Sequence, residues 1–381
     1  SELSVRLTEG TVDECRVRLD SQQVSVKSVL LNRGGYSYLT GPAVPGKEKQ
    51  EAAPVPGGST PSLPWTVRVG SVVLDDNRAE YGLLNHRPAA GFDPSFIVLS
   101  TLDLAVDSIY NRGADIALQI RRMAFTERSG LTVSDMTGDI GMDASGISLA
   151  GVTLKTPFSR IEANISAGEG ILALAPDSPL KADLMADVNT KDLKYLYPAL
   201  IPPVLDGRIV SLALTAAGTL GDIGKAGLDI SSPGHVAFTA DGAARNVLDP
   251  GRMEASARFE GDFRDMAFLE ALLPDSALRR RIAIPDRIRL RGTAGADKGA
   301  FSAASTLSTD GGEIALQGRL DTRSEAYGIE LRCDSFPLNS FLPADSLGLL
   351  DLALQAGGSG FDPLRAQTRG NIRLQVDRAE F

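Results

Sequence analysis

The stretch Asp262–Gly295, DFRDMAFLEALLPDSALRRRIAIPDRIRLRGTAG, runs from a short helix-like segment through a proline stop into strict two-residue alternation. Met266, Leu269 and Leu273 form a helical stripe that Pro274 ends, and Ile288 and Leu290 then alternate with arginines. Proline forbids continuation of the helix, and a period of two is the mark of a strand with one apolar face. The same sequence of events occurs twice more. DLKYLYPALIPP from Asp192, with Leu193, Leu196 and Leu200, precedes VSLALTAAGTLG, and SFPLNSFLP from Ser335 precedes LALQAGGSG. A repeat of roughly 70 residues accounts for all three.

Alternation dominates the rest of the chain: Leu3, Val5, Leu7; Trp65, Val67, Val69; Ile116, Leu118, Ile120; Met253, Ala255, Ala257, Phe259; Ile372, Leu374, Val376. Turn formers separate these runs, as in RSG at Gly130, DASG before Ile147, SPG before His235 and TDGG before Glu313. The pattern predicts a mainly β chain, an antiparallel meander with one apolar face, with short helices inserted in repeats of roughly 70 residues. Strands of about five or six residues, some 17–20 Å long, are expected. The expected segments are first strands over 1–40, a Pro/Gly-rich loop or linker over 41–64, a β-meander over 65–190, and repeats over 191–261, 262–334 and 335–381.

Of the 381 residues, 43% are hydrophobic and 23% charged, with a net charge of -9 and no dominant basic face, so nucleic acid is not an expected partner. Cys15 and Cys333 lie far apart in sequence and suggest neither a disulfide framework nor a zinc site. No stretch approaches the roughly 18 apolar residues that span a bilayer. The chain begins and ends inside strand-like patterns and reads as a piece of something longer. His86 and His235 are lone loop histidines without a sequence-evident partner, and metal-ligand spacings, phosphate cradles and a serine elbow are absent, so neither an enzyme nor a cofactor is expected. The basic run Arg279–Arg281 reads as a solvated loop, with a phospholipid headgroup or an acidic patch as the alternative ligand. The sequon Asn164–Ser166 lies in a strand pattern.

PWTVRVGSVVLDDNRAEY (Pro64–Tyr81), LSTLDLAVDSIY (Leu99–Tyr110) and GLTVSDMTGDIGMDASGISLAGVTLKTPFSRIEANIS (Gly130–Ser166) resemble the large envelope proteins of the TamB and AsmA-like group (translocation and assembly module), especially their Bacteroidetes form. The step at Leu154, Thr156 and Ser159, the Asp-led helix, and the Gly-Thr pairs Gly218–Thr219 and Gly292–Thr293 carry the likeness further. The family's N-terminal membrane anchor and C-terminal region have no counterpart here. The resemblance implies an elongated, open, curved antiparallel sheet, tapered and folded lengthwise into a trough with an apolar inside. It implies a protein anchored in the inner membrane of a Gram-negative bacterium, crossing the periplasm and working with an outer-membrane barrel partner. The expected work is phospholipid transfer between membranes, or assembly and secretion of outer-membrane proteins.

Either activity needs an apolar groove, expected to be lined by Leu212, Leu214, Ile288, Leu290, Ile314, Leu316, Ile329, Leu331, Leu352 and Leu354. A lipid conduit would hold phospholipid acyl chains there. An assembly chaperone would offer edge strands to nascent outer-membrane β-strands. The alternative is a purely structural β-solenoid or adhesin-like spacer with a dry core.

Overall fold

The computed structural model describes residues 2–41, 65–169, 175–198, 201–272, 283–342, 348–360 and 368–380. The expected loop at 42–64, the arginines at 279–281, and Leu200 and Leu273 lie outside these residues. The protein is mainly β, with 22 strands and few, short helices among the described residues. It divides into two compact units, one of residues 1–171 and 184–201, the other of residues 172–183 and 202–381.

In the first unit, β1 (Glu2–Arg6), β2 (Glu9–Asp13) and β3 (Arg16–Arg18) are short. They border β4 (Gln23–Asn32) and β5 (Gly35–Thr40). The 18-residue β6 (Thr66–Leu83) pairs antiparallel with β7 (Phe96–Arg112), but parallel with β4 and then β5 on its other edge. This departs from the antiparallel sheet expected throughout. Thr40 lies opposite Leu83, and Gln23 opposite Thr66, so the end of β5 and the start of β6 stand the length of β6 apart, about 56 Å at roughly 3.3 Å per residue. A tight hairpin cannot join parallel strands.

Asn77 sits where pairing along β6 passes from β4 to β5, and it is 1% exposed. Its Oδ1 accepts from the Gly34 N–H (2.8 Å) and the Tyr36 hydroxyl (3.3 Å), while its Nδ2 donates to the carbonyls of Leu31 and Asp75 (2.9 Å each). One side chain thus bonds the Gly34 N–H and the Leu31 carbonyl at the break in the ladder, and shares the Asp75 carbonyl with the Arg33 N–H.

β7 continues as an antiparallel meander through β8 (Asp115–Glu127), β9 (Thr132–Asp143), β10 (Gly146–Lys155) and β11 (Arg160–Gly168). Three of its bulges coincide with left-handed residues, Thr101 (φ 50°), Ser108 (φ 53°) and Gly151 (φ 58°). At the last of these the Gly151 N–H, freed from the ladder, donates to Asn164 Oδ1 at 2.8 Å. Val98, Leu102, Val106, Ile120, Val133 and Ala163 form the core of this unit.

The second unit is a ladder in which each strand pairs antiparallel with the next: β13 (Ile209–Thr219), β14 (Ile223–Ser232), β15 (Val236–Arg245), β16 (Glu254–Arg264), β17 (Arg287–Asp297), β18 (Ala300–Ser308), β19 (Glu313–Asp321), β20 (Ala326–Pro337), β21 (Leu349–Ser359) and β22 (Arg369–Ala379). β12 (Pro179–Asn189) is divided between the units. Most of the ladder strands have 10–12 residues, twice the expected length. Glycines that look like strand ends lie inside strands. Gly292 is one: a Cβ there would come within 2.6 Å of the Phe259 ring, which lies opposite it in register, so the glycine makes room for the aromatic rather than ending β17.

The expected helical interruptions are present. α1 (Thr190–Leu196), a 3-10 stretch (Met266–Leu272) and α2 (Leu338–Phe341) begin at residues 190, 266 and 338, at intervals close to 70 residues. In the second unit each follows a set of four strands, β13–β16 and then β17–β20, at the same end of the ladder.

Candidate functional site

The registers of β13–β22 place residues that oppose one another on one face, because side chains alternate sides and paired residues point the same way. One row runs Leu212, Ile230, Phe238, Gly261, Leu290, Leu307, Ile314, Cys333, Leu352, Val376. The next begins Leu214, Leu228, Ala240, Phe259 and ends Leu316, Leu331, Leu354, Leu374. A third passes through Ala216, Ala226, Gly242, Ala257, Ala294, Ala303, Gly318 and Ile329. No charged residue occurs in these rows. The charges Asp229, Asp241, Arg258, Glu260, Arg289, Arg291, Arg319, Glu330, Arg332 and Arg373 fall on the opposite face, with Gln317.

All ten expected groove residues stand on the uncharged face. Ile288 joins through its register with Phe263, two residues beyond Gly261. None of the ten is buried: Leu214, Leu316 and Ile329 are 38%, 41% and 43% exposed, and the other seven are half-buried. Among the described apolar side chains of this unit, Cys333, Phe336 and Pro337 are the buried ones. Among the described residues the face is therefore covered by its in-plane neighbours and not by an overlying layer. The helical segments end strands: Phe341 stacks on Phe336 (4.9 Å between ring centroids), and Phe268 is met by Arg208 (3.6 Å to the ring centroid) and edge-on by His235 (5.2 Å).

Single-strand alternation misses much of this surface. Phe238, Phe263, Phe301 and Leu307 belong to it through register, and the alanine and glycine positions give it relief. Where the small residues lie, a hollow of about 560 Å³ opens, lined by Leu214, Ala226, Ala257, Ala294, Ala296 and Phe301 among others.

Polar clusters occur in the first unit. Two features quoted separately from the sequence meet there: Thr156 Oγ1 and Ser159 Oγ donate to Asp192 Oδ2 at 2.6 and 2.5 Å, and the Asn189 side chain accepts from the Lys191 N–H at the helix start. The cluster fastens α1 to the turn between β10 and β11. His86 is not alone, since its Nε2 lies 2.7 Å from Asp93 Oδ2. The Ala89 N–H and the His86 ring, with the Ser95 N–H, hold the Asp93 carboxyl at about 2, below the usual carboxylate range. No nucleophile accompanies this pair in the hydrogen bonding described, and its bonds close the 84–95 loop on itself.

No family model, curated protein or solved structure matches the chain.

Proposed function

We propose that the chain is a non-enzymatic, TamB/AsmA-like periplasmic segment of an inner-membrane-anchored Gram-negative envelope protein, and that the uncharged face of β13–β22 carries phospholipid acyl chains between membranes. The observation that supports this is the continuity of that face. Ten strands at about 4.8 Å spacing give an apolar path of roughly 43 Å across the strands, longer than the roughly 30 Å hydrocarbon core of a bilayer. Strands of 11 residues make it up to about 36 Å wide. Sheltering a methylene from water stabilises by about 0.8 kcal/mol, so ten methylenes gain on the order of 8 kcal/mol without any polar contact. An alkyl chain has no hydrogen-bonding group for such a face to leave unsatisfied, whereas an isolated extended polypeptide would.

A second reading has its own support. β22 pairs with β21 alone among the described residues, and all eleven of its residues are exposed, including Ile372, Leu374 and Val376. Such an edge could add an incoming outer-membrane strand. A transfer assay separates the two. With fluorescent phospholipid in donor vesicles, the first reading expects transfer to acceptors that Leu316→Arg reduces at least fivefold while Gln317→Arg does not. Equal transfer by wild type and Leu316→Arg would overturn it.

A further inference from the structure

The hollow on the uncharged face does not end in apolar surface. At the ends of β15, β16 and β17 it meets a second hollow of about 590 Å³, and the two share Ala243, Ala244, Ala255, Ser256 and Ala296. The second is edged by Arg245, Glu254, Asp297 and Lys298. Arg245 opposes Glu254 in register, Glu254 opposes Asp297, and Lys298 Nζ lies 2.8 Å from Glu254 Oε1. Arg245, Glu254 and Asp297 arise from the charged side of the sheet, but from the terminal residues of their strands, so they flank its end. Two cations and two carboxylates thus stand side by side where the apolar hollow opens.

We infer that this rim is the headgroup subsite for a zwitterionic phospholipid whose acyl chain lies in the hollow lined by Leu214, Ala226, Ala257, Ala294 and Phe301. The inference rests on the acyl-chain reading above and adds the class of lipid. A headgroup carrying phosphate and ammonium finds a partner of opposite sign for each charge, the phosphate at Arg245 and Lys298 and the ammonium at Glu254 and Asp297. An anionic headgroup without an amine would compete with Glu254 and Asp297 for the two cations and bring no positive charge to the carboxylates in return. The acyl chain needs only the uncharged wall. The two requirements meet at the four shared alanines and Ser256, whose small side chains leave the passage between the hollows open.

The test incubates the 381-residue chain with vesicles of equimolar phosphatidylethanolamine and phosphatidylglycerol, re-isolates the protein and quantifies bound lipid by mass spectrometry. The wild type is expected to hold the zwitterionic lipid at least threefold over the anionic one. Glu254→Gln with Asp297→Asn, which leaves the two cations, is expected to reverse the preference, its far-UV circular dichroism serving as the check on folding. Wild-type preference stands as a test even if the double variant does not fold. Both lipids bound in equal amounts would overturn the headgroup subsite and leave the acyl-chain reading intact. No bound lipid of either kind would overturn both.

Discussion

If the apolar face of β13–β22 is open, truncating its leucines must cost little folding energy. Leu316 is 41% exposed and lies between Ser305 and Leu331 in register. Full burial of a leucine side chain stabilises by about 1.5–3 kcal/mol, so the three-fifths of it that is covered contributes roughly 1–2 kcal/mol. Alanine keeps part of that, and no enclosed cavity forms, so Leu316→Ala is expected to cost about 1 kcal/mol. Leu102 provides the contrast. At 5% exposure it lies opposite Asn77 within the packed part of the first unit, and Leu102→Ala should cost about 2–5 kcal/mol, the range for a closed core. Urea denaturation of both variants and of Leu214→Ala measures this, each read from the transition of its own unit. A loss above 3 kcal/mol at Leu316 or Leu214 would mean that a layer covers the face, and the reasoning would fail.

Asn77→Ala should destabilise the first unit by about 2 kcal/mol, because the buried Gly34 N–H loses its acceptor and the Leu31 carbonyl a donor, while the Asp75 carbonyl keeps the Arg33 N–H; a loss under 1 kcal/mol in urea would contradict that role. Asp192→Ala removes the shared acceptor of Thr156 and Ser159, and amide exchange in α1 should rise by about tenfold or more while the β13–β22 ladder stays protected; unchanged protection in α1 would refute the cluster as its fastening. The Asp93 carboxyl is lowered from an ordinary 3.8 to about 2, so its support of the 84–95 loop is complete above pH about 5 and lost as the pH falls through 3.8 toward 2. Protection of the Ala89 N–H should fall over that window in the wild type and show no such dependence in Asp93→Asn.

The sheet was legible because its uncharged face is written into single strands: Leu212 and Leu214, Ile314 and Leu316, and Leu352 and Leu354 each declare a side without reference to neighbours. The proline-stopped helices declared the repeat in the same local way. Strand length was not legible, since the Gly292–Thr293 pair looks like the end of a strand until Phe259 is set opposite the glycine. The parallel pairing of β4 and β5 with β6 depends on which strands meet, and no local pattern carries that. Asn77, Asp93 and Asp192 were hidden for a related reason. Each satisfies groups brought near by the fold, His86 and the 89–95 backbone in one case, the turn at Thr156–Ser159 in another. The relief of the candidate site comes from alanines and glycines whose meaning is given by the bulkier residues beside them across the strands.

The most direct measurement is photo-crosslinking in intact cells from single unnatural residues at Leu214, Leu316 and Leu354, with Arg291 and Gln317 as controls on the charged face, followed by mass spectrometry of the adducts. Lipid adducts at the three leucine positions and none at the controls are the predicted result. Protein adducts alone at those positions, or no adducts beyond the controls, would contradict an open face that carries acyl chains.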